Sequence, residues 1–154
     1  MKIKKAYKDI NETLSCIRLQ VRDGMGWAAR NCPTFNNSAE LYYYLMDRVK
    51  YKHDPPDTEL LQSIDTLLTD RNFWNKPGAG DCDCFVIAWL TLWNCSNIPG
   101  RAWIKLAGRN KDYPVHIWAG TDENGRELAA DLTERKFNTE RKYPYIQKIY
   151  FKPL

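Results

Sequence analysis

The chain has 154 residues and a mass of 18.1 kDa, with 23 lysines and arginines against 19 aspartates and glutamates for a formal charge of +4. With 44% hydrophobic and 27% charged residues it has globular composition and the size of a single domain, which excludes a disordered or collagen-like chain. No apolar run approaches the roughly 18 residues of a membrane span, and the basic residues are scattered among acids, so neither a membrane nor nucleic acid is indicated as a partner.

The opening residues 1–16 are basic, with no apolar stretch behind them. No export signal is expected, and the cytoplasm is the simplest compartment. Cys16, Cys32, Cys82, Cys84 and Cys95 make an odd count, which argues against a disulfide framework. Free thiols in a reducing compartment are most often small buried hydrophobes.

Residues 1–35 form an N-terminal extension with little readable pattern. Ile17, Leu19 and Val21 alternate with polar residues, as in a half-buried strand. Gly24 and Gly26 then interrupt regular structure, and residues 31–38, with Pro33, read as a loop. Ser38 is placed to cap a helix from Ala39, with Leu41, Tyr44, Leu45 and Val49 on one side. Pro55 and Pro56 stop it. Asp57 or Thr58 then caps a second helix carrying Leu60, Leu61, Ile64 and Leu67 or Leu68, so that the two form a helical hairpin. The tyrosines at 42–44 read as helix packing, with a binding groove as the alternative.

Residues 72–154 carry the chemistry. A glycine-containing turn, residues 75–81, leads into residues 82–95, which are apolar on nearly all sides. A helix with that pattern is central and buried. Residues 101–107, 115–120 and 127–132 read as strands, the last two joined by a tight turn at Asn124-Gly125. Residues 146–152 read as an edge strand whose lysines discourage pairing with other chains. The expected class is α+β, one domain over 1–154, with the helix starting near Cys82 packed on an antiparallel sheet.

Cys82 stands where the turn meets the helix. There the helix N-terminus favours a thiolate, and its unpaired N–H groups suit a developing oxyanion. The thiol pKa is therefore expected to fall, and Gly78 and Gly80 to let a substrate approach the backbone. His116 and Trp118 share one strand face and Val115, Ile117 and Ala119 the other. Asp131 lies among Ala129, Ala130 and Leu132 on the neighbouring strand, and a buried carboxylate needs a partner, for which His116 is placed. Each residue also has a plain reading: an inert thiol, a core histidine, a turn-capping acid. His53, at the end of the first helix, reads as exposed.

In this order the residues resemble the transglutaminase-like superfamily of papain-like thiol enzymes. The similarity runs over residues 36–133 in four blocks: Gly80-Asp81-Cys82 at a helix start, Asn97-Ile98-Pro99-Gly100-Arg101, His116-Ile117-Trp118, and Ala130-Asp131-Leu132-Thr133. The pattern departs at Cys84, where an acid is common, at Asn97 in place of glycine, and at Leu132 in place of proline. Residues 42–71 look like the corresponding part of small phage and prophage members. The resemblance implies acyl transfer on a protein or peptide amide through a thioester, as a protease, deamidase or transglutaminase. Cys82 would be the nucleophile, His116 the proton carrier and Asp131 the group holding the imidazole. Trp74, Gly80 and Trp118 are the expected substrate contacts, and Cys84 is read as a buried thiol turned away.

The alternative is a non-catalytic structural or assembly component of a phage particle, with virion proteins as partners. The location is then a bacterial host cytoplasm or the virion. No cofactor is implied. A zinc site of Cys82, Cys84, Cys95 and His116 is disfavoured, because C-x-C is too close a pair and Cys95 lies roughly 20 Å along the helix. No metal is therefore expected.

Overall fold

The computed structural model describes residues 2–5 and 10–153. In chain order the elements are β1 (Lys2–Lys5), α1 (Ile10–Asn31), α2 (Ser38–Met46), β2 (Lys50–Tyr51), β3 (Thr58–Leu61), α3 (Ile64–Leu68), β4 (Ala79–Gly80), α4 (Cys82–Asn94), β5 (Arg101–Gly108), β6 (Pro114–Glu123), β7 (Arg126–Ala130) and β8 (Tyr145–Tyr150). Among the described residues no helix is long and apolar enough to cross a membrane.

The architecture is α+β. The main sheet is antiparallel, with strand order β7-β6-β5-β8, and its consecutive pairing follows from the hairpins. Asn124 and Gly125 both have positive φ, 52° and 77°, the backbone that a two-residue hairpin turn requires. Glu123 then pairs with Arg126, and the register runs up to Ala119 opposite Ala130. The edge strand β8 pairs with β5 and carries Lys148 facing Asp122.

Helix α4 lies between this sheet and the other helices, touching α1, α2 and α3 as well as β6. That position explains why it is apolar all round: Cys84 to Leu92 are all buried, with Trp89 wholly enclosed. The opposite sheet face buries a second cluster, Trp103, Ala107, Trp118 and Ala129, under Tyr143 and Tyr150.

Two expectations are corrected. Residues 17–21 are not a strand, and Gly24 and Gly26 do not interrupt the chain: all belong to the 22-residue helix α1. Thr13, Ile17, Gln20, Val21, Gly24 and Ala28 recur at helical spacing and form its buried side. Gly24 is there because Ile64 packs on it; a Cβ would come 2.9 Å from the Ile64 Cγ2. The helical hairpin is also absent. The first helix ends at Met46, with Asn37 rather than Ser38 accepting the capping bond from the Glu40 N–H at 2.9 Å. Residues 58–61 form a strand antiparallel to β1, and only five residues, Ile64–Leu68, are helical after it. Pairing with β1 outweighs the helical propensity of the leucines there.

Candidate active site

The approach to Cys82 is fixed by a short parallel pair, β2 with β4, in which Lys50 and Tyr51 face Ala79 and Gly80. Gly78 has φ +88°, and a Cβ there would lie 1.9 Å from the Arg48 carbonyl oxygen. A Cβ on Gly80 would meet Leu67 at 2.9 Å and the Cys84 Cβ at 3.0 Å. Both glycines therefore admit close approach of the protein's own backbone and core. Gly78→Ala is predicted to cost about 2–4 kcal/mol from left-handed strain plus overlap, read as a lower urea midpoint. An unchanged midpoint would refute that.

Asp81 is the N-cap residue of α4 and Cys82 its first residue. The sulfur faces the backbone N–H of Ile117 on β6, so the helix start and the strand bearing His116 meet here. His116 Nε2 lies 2.6 Å from Asp131 Oδ2. The carboxylate is buried, and its other oxygen accepts from the Thr133 N–H at 3.0 Å and the Thr133 hydroxyl at 2.7 Å. A carboxylate so supplied with donors is held in a fixed orientation. Asp131 follows directly on β7, and the hairpin register brings it beside β6.

Behind the imidazole, Trp118 stacks at 5.3 Å between centroids, and Tyr143 stacks on Trp118 at 5.9 Å. The Trp118 indole N–H donates to Glu140 Oε2 at 2.8 Å, and the Lys105 ammonium reaches the same oxygen at 2.8 Å. Trp118 is only 2% exposed, so it backs His116 and offers substrate no surface. Trp74 is packed edge-on to Phe73 with the Lys52 ammonium over its ring, and does not line the cavity of Cys82 and His116. His53 is exposed, edge-on to Tyr51.

Cys82 and His116 line one cavity of about 190 Å³, with Tyr51, Glu59, Asp81 and Asp83 also on its wall. A second cavity of about 420 Å³ adjoins it, sharing Tyr51, Val115 and His116 and reaching Arg141 and Tyr143. Together they make a cleft that passes the imidazole.

The electrostatics differ from the expected thiolate-stabilising helix end. Burial pushes the Cys82 thiol well up, and the Asp83 and Asp81 carboxyls raise it further, against the lowering effect of the Ile117 N–H. Burial, reinforced by the neighbouring Asp54, pushes the Asp81 carboxyl up to about 8. Asp83 is likewise held well above the usual carboxylate range by burial, by Asp81 and by Glu59, with which it is hydrogen-bonded. The dipole of one helix is equivalent to about half a charge, and burial together with two adjacent carboxyls outweighs it.

Cys84 is fully buried. Its thiol donates to the Leu60 carbonyl at 3.1 Å, with the Gln62 side-chain amide 3.6 Å from the sulfur. Sequence reasoning missed Thr133, Glu140, Tyr51 and the acids around Cys82. Only Thr133, two residues past Asp131, carried a local signal, the turn in which a hydroxyl and an N–H close on the preceding carboxylate.

No protein-family model matches the sequence, and no curated protein matches it. Two solved structures are similar. One is a proposed protease from Parabacteroides distasonis, at TM-score 0.53 and 12% identity over 90% of this chain. The other is a proposed cysteine protease from Cytophaga hutchinsonii, at TM-score 0.50 and 13% identity over 92% of this chain. The chain shares its fold with these two proteins. It spans 28% of the first and 58% of the second.

Proposed function

We propose that the chain is a cysteine-dependent enzyme that cleaves or transfers the acyl group of a protein or peptide amide. The observation that carries this reading is the 2.6 Å His116–Asp131 pair, anchored by Thr133, on the wall of the cavity that Cys82 also lines. Fold similarity to two proposed proteases supports it but does not by itself assign an activity.

With Nε2–H committed to Asp131, Nδ1 is the unprotonated ring nitrogen and serves as the base. Cys82 Sγ attacks the amide carbonyl carbon while its proton passes to His116 Nδ1. The oxyanion that forms lies at the start of α4, where backbone N–H groups lack helical partners. The C–N bond then breaks, and the leaving amine takes the proton from His116. Water, deprotonated by the same nitrogen, attacks the thioester and releases the acid with the free thiol. An amine in place of water gives a new amide.

Because the thiol is pushed up in the free protein, proton transfer accompanies attack, in contrast to a resting thiolate–imidazolium pair. A peptidyl vinyl sulfone tests the assignment. Intact-mass and peptide analysis are expected to show one adduct, on Cys82, lost in Cys82→Ala and slowed at least ~100-fold in His116→Ala. Labelling of Cys16, Cys32 or Cys95 at an equal rate would refute it.

A further inference from the structure

Beside the thiol, the acids at the start of α4 form a second constellation, for which acyl transfer has no use. Asp54 precedes β3, Asp81 caps α4 and Asp83 lies in its first turn, and one carboxylate oxygen from each lies within 4.8 Å of the others. We propose that Asp54, Asp81 and Asp83 bind a hard divalent cation, of which Ca²⁺ suits the oxygen set, beside the Cys82 cavity.

Donors facing each other across a calcium ion with bonds of about 2.3–2.6 Å stand roughly 4.6–5.2 Å apart. Three oxygens this close together are within reach of one shared ion. An all-oxygen set excludes a soft metal as the preferred occupant. Asp54 is already oriented, because its Oδ2 accepts from the Leu60 N–H at 2.7 Å.

The acids alone would not establish a ligand, since carboxylates also cluster without one. One further observation points to one. The Thr13 hydroxyl, on α1, is 2% exposed, has no hydrogen-bond partner among the described residues, and lines the same cavity as Asp81 and Asp83. Asp54 and Asp81 are hydrogen-bonded to each other, so an ion bound here displaces the proton they share. The Thr13 oxygen, which comes from a different element, is a neutral ligand of the kind Ca²⁺ accepts beside carboxylates. The helix N-terminus opposes a cation with about half a positive charge, which the acids exceed once the ion has displaced the protons that burial holds on Asp81 and Asp83.

The site does not depend on Cys82 being a nucleophile, and its test needs no activity. The full chain, stripped with a chelator and dialysed, is titrated with CaCl₂ and with MgCl₂ by calorimetry, and its Tm is followed in parallel. One equivalent of Ca²⁺ is expected to bind with Kd of about 10⁻⁵–10⁻³ M, with Tm rising by about 3–8 °C at saturation and Mg²⁺ binding more weakly. Asp54→Asn, which retains an oxygen for the Leu60 N–H, is expected to weaken Ca²⁺ at least about tenfold. Asp83→Asn provides the same test should Asp54→Asn fold poorly. Exchange of the remote Glu134 for Gln is expected to leave binding unchanged.

Three results would overturn the proposal. One is no heat and no Tm change at ~10 mM Ca²⁺, well above the expected Kd. Another is an unaltered Ca²⁺ response in both aspartate variants. The third is an equal Tm gain from ethylammonium at the same concentration, which would assign the acids to an amine.

Discussion

Replacing Cys82 or His116 by alanine is expected to lower kcat/KM on a peptide amide or activated ester by at least ~10³-fold, with the circular dichroism spectrum intact. The two losses should not add, because attack and proton transfer belong to one step. Asp131→Asn is expected to cost about 10²–10⁴-fold and leave measurable turnover, since Asp131 fixes the tautomer and does no covalent chemistry. Its partners Thr133 and His116 both stay in place, so the fold should survive. Cys84 separates the two thiols cleanly. It is buried against Leu60 and Gln62, so Cys84→Ala should keep activity while losing about 1–3 kcal/mol of stability. Activity that survives Cys82→Ala and disappears with Cys84→Ala would reverse the assignment.

Cys82 is expected to alkylate slowly at neutral pH and ever faster as the pH rises, with a midpoint above that of free cysteine. The sign follows from its surroundings. Burial and the adjacent acids favour the neutral thiol, so the folded protein holds this proton to higher pH than the unfolded chain. Whatever stability the neutral thiol contributes is present below the ordinary thiol pKa and lost as pH rises through the folded value. Asp83→Asn removes one of those acids and should move the midpoint down. The readout is iodoacetamide incorporation at Cys82 across pH, with chelator present so that no cation masks the acids. A plateau already reached at neutral pH in the wild-type chain would show a resting ion pair and defeat this account.

The sheet, the buried helix and the pairing of His116 with Asp131 were legible because each rests on local pattern. Asn124-Gly125 fixes a register from two residues, and a 13-residue helix apolar on nearly all sides has one place to go. Residues 17–21 misled because polar Arg18 and Gln20 alternate with apolar neighbours inside a longer helical stripe, and Gln20 itself is buried. The leucines at 60 and 61 fit a helix as well as a strand. What decides between them is β1, more than fifty residues earlier in the chain. The acid cluster was invisible for a related reason. Asp81 and Asp83 flank the thiol in sequence, but Asp54 and Glu59 reach it only through the path of the chain before and along β3. Their effect reverses the expectation drawn from the helix end alone.

His116 and Asp131 belong to one hairpin, closed by a tight turn and stapled by its register, whereas Cys82 rides on a helix that packs against that hairpin from the side. In the proposed mechanism the base and its anchor thus belong to a single piece, and the nucleophile belongs to another. A small slide of α4 along β6 changes the sulfur-to-imidazole gap while leaving the imidazole's orientation untouched. Reactivity can therefore be retuned by substitutions along the α4–β6 seam, such as at Ile117, without disturbing the tautomer. Two such pieces also give selection two separate handles: one on how strong the base is, the other on how near it stands.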